Sequence, residues 1–441
     1  MAYQREKIPA ALYRSSGKKE GSLDKEREKN MVTEKMYDKL AELLVKKGAN
    51  VQKDQPVVVR GSVRDAGFVR KLVKAAYEAG AKYVSVEWRD TELTKMRYEY
   101  ESIETLSEVP DWQYDKTKYE HDGGACYISV GSEKPGSMAG VDSTKMRAAT
   151  MANFRKMGDL RNYTANNIGQ WCGAGLPSVD WAKAVFPDLS DEEAFEKLSD
   201  AVFAVTRVSE DNDPLAEWDQ HSEELLRHCG KLTEMQFSKL HFTSGLGTDL
   251  WIELVKDHVW VGGGCTTPKG VFFVPNMPTE ECFCMPYKTG TNGTVYASLP
   301  LNYSGKMIKN FWLKFENGKV VDYGAKEGKE ALDQLFSYDE GSSYLGEVAL
   351  VPYDSPVSKT GILFLNTLYD ENAACHLALG RPYPENLRGG TEMSREELTA
   401  HGANDSMQHV DFMFGTKDMS IDGIMEDGTV EPIFRDGNFV F

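Results

Sequence analysis

The sequence predicts an α/β protein: an N-terminal α/β domain built on a parallel sheet, then a C-terminal α+β domain rich in antiparallel strands that carries a dinuclear metal site. Three observations predict it. Apolar runs in the first half alternate between strand-like stretches and segments of helical period, the pattern of βαβ units. From residue 240 the pattern changes to alternating runs separated by turn residues, the mark of antiparallel strands. The last third places Glu280, Glu281, Glu347, His376, His409 and Asp411 in apolar surroundings. Charged or imidazole groups are costly to bury there unless something compensates them, and a pair of divalent ions is the simplest shared compensator.

A chain of 441 residues exceeds one simple core and suggests at least two domains. We expect a polar extension over 1–30, an N-terminal domain over 31–235 and a metal-binding catalytic domain over 236–441. With 41% hydrophobic and 11% aromatic residues, the composition is that of a globular protein. The net charge of −17 argues against nucleic acid as a partner, since phosphates would be repelled. No run approaches the ~18 consecutive apolar residues of a membrane span, and the first residues lack the apolar core of a secretory signal. Seven cysteines without framework spacing suggest a reducing cytoplasm. The close pair Cys282 and Cys284 reads as buried strand thiols, not as half of a zinc site.

Taken in order, 31–49 has Met36, Leu40, Leu43 and Leu44 at helical spacing and ends at Gly48. "QPVVVRGS" (55–62) reads as a buried strand. A helix follows with Val69, Leu72, Val73 and Ala76 on one face, then the strand "YVSVEW" (83–88), and "ACYISVGS" (125–132) adds another. Arg60-Gly61-Ser62 invites a nucleotide-binding reading, but the glycine fingerprint and the phosphate-loop lysine are missing, so Gly61 reads as a turn glycine. Helices are expected over 143–162, over 191–208 with Asp191 as a candidate N-cap, and over 212–235. "TDLWIEL" and "HVWVGG" alternate as strands do. Gly262 to Gly264 suggest a sharp turn or a close backbone approach beside the site. Asn317-Gly318 between two alternating runs is the clearest hairpin signal in the chain.

His409 and Asp411 lie two apart in "HVDFMF", so a strand would turn both to one face and Val410 and Phe412 to the other. His376, in "ENAACHLALG", is expected on a short helix. Glu347 stands at the head of the apolar strand "EVALV", where a lone buried carboxylate needs a partner. Three carboxylates with two imidazoles suit two ions that share a bridging acid and activate water. Spacing alone does not choose between Glu280 and Glu281. No His-Glu-x-x-His is present, which removes the zincin type of peptidase.

These segments carry a resemblance. "NMPTEE", "GTDLWIEL" with "HVWVGGG", "YLGEVALVPYDSP", "NTLYDENAACHLALG", "HVDFM" and "IDGI" with "EPIFRDGN" resemble the aminopeptidase T and aminopeptidase S family of cocatalytic metalloaminopeptidases. The similarity spans most of the chain from about residue 31 and is densest after 240. It implies metal ligands at Glu281, Glu347 (bridging), His376, His409 and Asp411, and a catalytic tyrosine at Tyr383, seven residues beyond His376. It also implies two divalent ions (zinc, cobalt or manganese), short peptide substrates and a homodimer. The expected reaction releases N-terminal amino acids through water activated between the ions, with Glu281 or Glu347 moving its proton. The same ligands would also serve another two-metal amidase or hydrolase, or a metal-dependent peptide-binding protein without turnover.

Overall fold

The computed structural model describes residues 32–441, so the expected extension over 1–30 lies outside the described residues. The first half forms a five-stranded parallel sheet. Its strands are β1 (Pro56–Ser62), β2 (Tyr83–Arg89), β3 (Cys126–Gly131), β4 (Trp171–Gly175) and, from far along the chain, Asn276–Met277, in the order β2-β1-β3-β4-276/277. Val57, Val58 and Val59 of β1 are fully buried, as expected of a central parallel strand covered on both faces. The helix Ala66–Glu78 buries Phe68, Val69, Leu72 and Ala76. Gly61 is a strand residue and not a turn: a Cβ there would lie 2.6 Å from Val69 Cγ2, so its lack of side chain lets that helix close on β1.

The helix Glu34–Leu43 loosens into a π turn at Leu44–Gly48, and Gly48 ends it against Cys172 of β4. The helix Asp191–Val205 is capped by Ser190, whose hydroxyl accepts from the Glu193 amide while Glu193 reaches back to the Ser190 amide. The cap is therefore one residue earlier than expected, and Asp191 serves in the first turn, where a carboxylate favours the helix dipole. Asp213 caps the long helix Pro214–Met235.

The second half holds a nine-stranded sheet whose strands include Asp249–Leu254, with the expected strict alternation of exposed and buried residues, and Lys239–Thr243 beside it. Asn317 and Gly318, both at positive φ, turn Lys306–Glu316 into Lys319–Glu327, as the sequence indicates. "HVWVGG" does not join a ladder. His258 and Val261 make only isolated bridges, to Leu387 and Phe283, because the chain bends away at Gly263 and Gly264, both at positive φ.

A four-stranded antiparallel sheet lies against the nine-stranded one: β5 (Cys282–Cys284), β6 (Leu345–Leu350), β7 (His376–Gly380) and β8 (His409–Met413). Cys282, Cys284, Val348, Leu350, Leu377, Leu379 and Phe412 share one core with Leu250, Ile252 and Phe311. This core fixes one face of the small sheet and leaves the other to a cleft. Among the described residues no helix is long and apolar enough to cross a membrane.

Candidate metal centre

His376 lies on a strand, not on the short helix expected. Every residue of β7 is buried, so the run carries no alternation to reveal its period. Register then explains the site. Glu347 pairs with Ala378, and Ala378 pairs with Asp411, so the three form one row across the sheet on one face. His376 is two residues from Ala378, and His409 is two from Asp411 and opposite Gly380. All four functional side chains therefore project from the face opposite the core. A bulge at Gly346 shifts the register of β6 by one residue and is what turns Glu347 to that face; a Cβ at Gly346 would meet Gly380 O at 2.4 Å. Glu281 enters from the residue just before β5.

Ala378 is the floor of this arrangement, fully buried between the two carboxylates. Its methyl leaves the room in which they converge. Replacing Ala378 with leucine is expected to fill the centre and reduce bound metal to a small fraction of the native content, with the fold retained; metal analysis of the purified variant checks this.

The side chains gather into two groups that share one member: Glu281, Glu347 and His376, and Glu347, His409 and Asp411, with one ligand atom from each residue of a group within 4.8 Å of the others. His376 Nε2 is 3.1 Å from Glu281 Oε2 and 3.3 Å from Glu347 Oε1. His409 Nε2 is 3.1 Å from Asp411 Oδ1 and 3.9 Å from Glu347 Oε2. The Asp411 contact lies within ion-pair distance but lacks hydrogen-bond geometry, so this buried oxygen has no hydrogen-bond donor. Both imidazoles point Nδ1 at a backbone carbonyl, His409 to Arg381 O at 2.7 Å and His376 to Ala374 O at 3.3 Å. With Nδ1–H donating there, each Nε2 turns its lone pair toward carboxylate oxygens, which is how metal-ligating histidines are oriented. Between these atoms a positive charge is needed: a proton on each Nε2 supplies it in the metal-free chain, and a divalent ion fits the same donor set.

The electrostatics agree. Burial would lower His409, but the adjacent Asp411 charge outweighs it and raises the imidazole to about 10. His376 likewise rises well above its ordinary value: burial opposes protonation, and the bonds to Glu281 and Glu347 overcome it. Burial lifts Glu347, with His376 opposing. Burial would also lift Asp411, yet His409 holds it below the usual range. The metal-free imidazoles thus keep their protons at neutral pH, and a metal must displace them. Metal affinity is expected to rise with pH by up to about tenfold per unit for each proton released, up to the raised imidazole values. Calorimetric titration near pH ~6 and ~8 in matched salt checks it, and equal affinities would contradict it.

Glu280 is placed elsewhere. Arg207 grips it with two hydrogen bonds of 2.7 and 3.0 Å, and His221 lies 3.5 Å away. The structure thereby separates the two neighbouring glutamates: Glu281 faces the cleft and Glu280 braces the helical layer. The ring of Tyr383 stands 5.0 Å from that of His409 and 5.7 Å from that of Phe283. Burial and then the charges of Glu347 and Asp411 keep its phenol well above its ordinary pKa, so it is a neutral donor.

The cleft is open to solvent and is lined by Glu281, Glu347, His376, Tyr383, His409 and Asp411 together with Gly262 to Gly264, Phe283 and Trp171. The triple glycine makes the expected close approach: a Cβ on Gly262 would meet Glu281 O at 2.2 Å. Sequence reasoning missed Glu371 and Glu385, which line the same cleft. Each was visible only as an acid in a polar turn, five residues before His376 and two after Tyr383.

Known proteins match this chain along nearly its whole length. The family model described as thermophilic metalloprotease (M29) matches residues 33–439. Aminopeptidase AmpS of Bacillus subtilis is 47% identical over 401 residues, which is 91% of this chain and 97% of that protein. Aminopeptidase T of Thermus aquaticus is 39% identical over 403 residues, 91% of this chain and 98% of its own. The solved structure of wild-type AmpT from Thermus thermophilus superposes with a TM-score of 0.86 at 37% identity, covering 93% of this chain and all of that one. The chain belongs to the thermophilic metalloprotease (M29) family.

Proposed function

We propose that this metalloaminopeptidase releases the N-terminal residue of short peptides at a two-ion centre held by Glu281, Glu347, His376, His409 and Asp411. The observation that carries the reading is the pair of ligand groups sharing Glu347. Five ligands divided three and three through one bridging carboxylate suit two ions and exceed what one needs. Zinc, cobalt and manganese all accept this mixture of oxygen and imidazole. When bound, such a pair polarises the scissile carbonyl and lowers the pKa of water toward ~7.

The chain's own residues supply the rest. Tyr383, a neutral phenol beside His409, donates a hydrogen bond to the oxyanion that develops on the carbonyl. Proton transfer from water to the leaving amine falls to a carboxylate of the site, Glu281 or Glu347. Phe283 and Trp171 line the cleft with apolar surface that suits a substrate side chain.

Three further readings belong with this one. The division into an N-terminal α/β domain over 31–235 and a metal-binding catalytic domain over 236–441 is supported by the two kinds of sheet, although 276–277 return to the first. A cytoplasmic location is supported by seven cysteines that are all unpaired. A homodimer is supported by large apolar side chains left exposed between Trp88 and Tyr119, including Leu93, Met96, Tyr100 and Trp112.

The test compares leucyl-p-nitroanilide with its N-acetyl analogue on chelator-stripped enzyme, before and after metal is restored. Metal-dependent cleavage of the free amine alone is the expected result. Cleavage of both would indicate a general amidase, and cleavage of neither a binding protein.

A further inference from the structure

Glu385 follows Tyr383 by two residues, in the turn Pro384–Asn386, and lines the same cleft. Its Oε2 accepts the Asn167 amide at 2.5 Å and the Cys265 thiol at 3.8 Å. Asn167 is itself fixed, because its Oδ1 accepts the indole N–H of Trp171 at 3.3 Å, which leaves only its NH₂ to face Glu385. Stretches far apart in sequence thus converge to orient one carboxylate. All of these donors are neutral.

That neutrality sets Glu385 apart from the other acids that line the cleft and from Glu280 beside it. Glu280 has Arg207. The ligand carboxylates have the imidazoles and the ions they are built to hold. Glu371 lies among Asp411, Glu281, His376 and Glu347, so the same ions would offset its charge. Glu385 has no cationic partner among the described residues; its one charged neighbour in the site is Glu347, which repels it. Burial accordingly pushes its carboxyl up to about 7. A desolvated, oriented carboxylate without a counter-charge is unfavourable unless a cation arrives from outside. The one cation every substrate of an aminopeptidase carries is its α-ammonium.

We infer that Glu385, held by Asn167 and Cys265, is the residue that binds the free α-ammonium of the substrate and so restricts cleavage to the N-terminal bond. The inference rests on the aminopeptidase reading of this cleft. It makes Glu385 a specificity-determining residue and adds no step to the hydrolysis.

Two hydroxamates isolate the amine. Leucine hydroxamate and 4-methylpentanohydroxamate both bind ions through the hydroxamate and differ only in the amino group. In Glu385→Gln the Asn167 amide holds the new carbonyl oxygen, so the NH₂ turns toward the ligand and opposes an ammonium. Calorimetry on metal-loaded protein is expected to show leucine hydroxamate weakened about 10²-fold, with the amine-free analogue and the metal content unchanged. Equal changes for both ligands, or none for either, would overturn the inference and leave the amine to the ions. Should Glu385→Gln fail to fold, Asn167→Gly, which removes the amide donor at a residue of positive φ, is read the same way, with a loss of several-fold confined to the amine ligand. Failure of the aminopeptidase reading itself is distinguishable: native enzyme would then bind both hydroxamates alike and cleave the N-acetyl anilide.

Discussion

Replacing Glu347 with glutamine is expected to lower kcat/KM for a free-amine peptide by about 10³-fold or more, beyond the 10- to 100-fold typical of residues that only support a ligand. Glu347 is the member common to both ligand groups, with one oxygen toward His376 and the other toward His409. The amide keeps the shape of the side chain, so packing against β7 is preserved and the fold should survive. It cannot present two anionic oxygens, however, and the two proposed ions would lose the ligand they share. The expected variant is folded, binds less than the native metal complement, and is not rescued by excess metal at neutral pH. Activity assays across a metal titration, with circular dichroism as the control for folding, check this.

Tyr383→Phe is expected to separate binding from chemistry. The phenol lies against His409 and Phe283, outside both ligand groups, so its removal should leave metal content and KM near native. The loss falls on kcat, by about 10²- to 10³-fold, the usual consequence of removing one hydrogen-bond donor aimed at a developing oxyanion. Burial, and after it the surrounding carboxylates, hold the phenol protonated in the metal-free chain. Steady-state kinetics and metal analysis of the variant measure the effect. A variant that loses metal along with activity would give Tyr383 a structural role instead.

What the sequence made legible follows from the range of each interaction. The 317–318 hairpin and the His409-x-Asp411 face are set by neighbours in the chain, and both were readable. The βαβ order was readable because each apolar run is bounded by its own turn residues. The choice between Glu280 and Glu281 was not, since the partner that claims Glu280 is Arg207, 73 residues away. The strand at His376 was missed because a fully buried run has no polar face from which to read a period. The shared row of Glu347, Ala378 and Asp411 depends on a one-residue bulge at Gly346, and local pattern carries no sign of where a register slips. Glu385 was invisible for a similar reason: its donors, Asn167 and Cys265, lie 218 and 120 residues from it.

In the proposed centre one carboxylate, that of Glu347, organises two ions. This is tested most directly by counting metal ions per chain in native protein after reloading and exhaustive dialysis, beside Glu347→Gln treated identically. Two tightly held ions are expected in the native chain, and loss of both, or retention of one weakly held ion, in the variant. One ion in the native protein, or two held equally well without the Glu347 carboxylate, would contradict it.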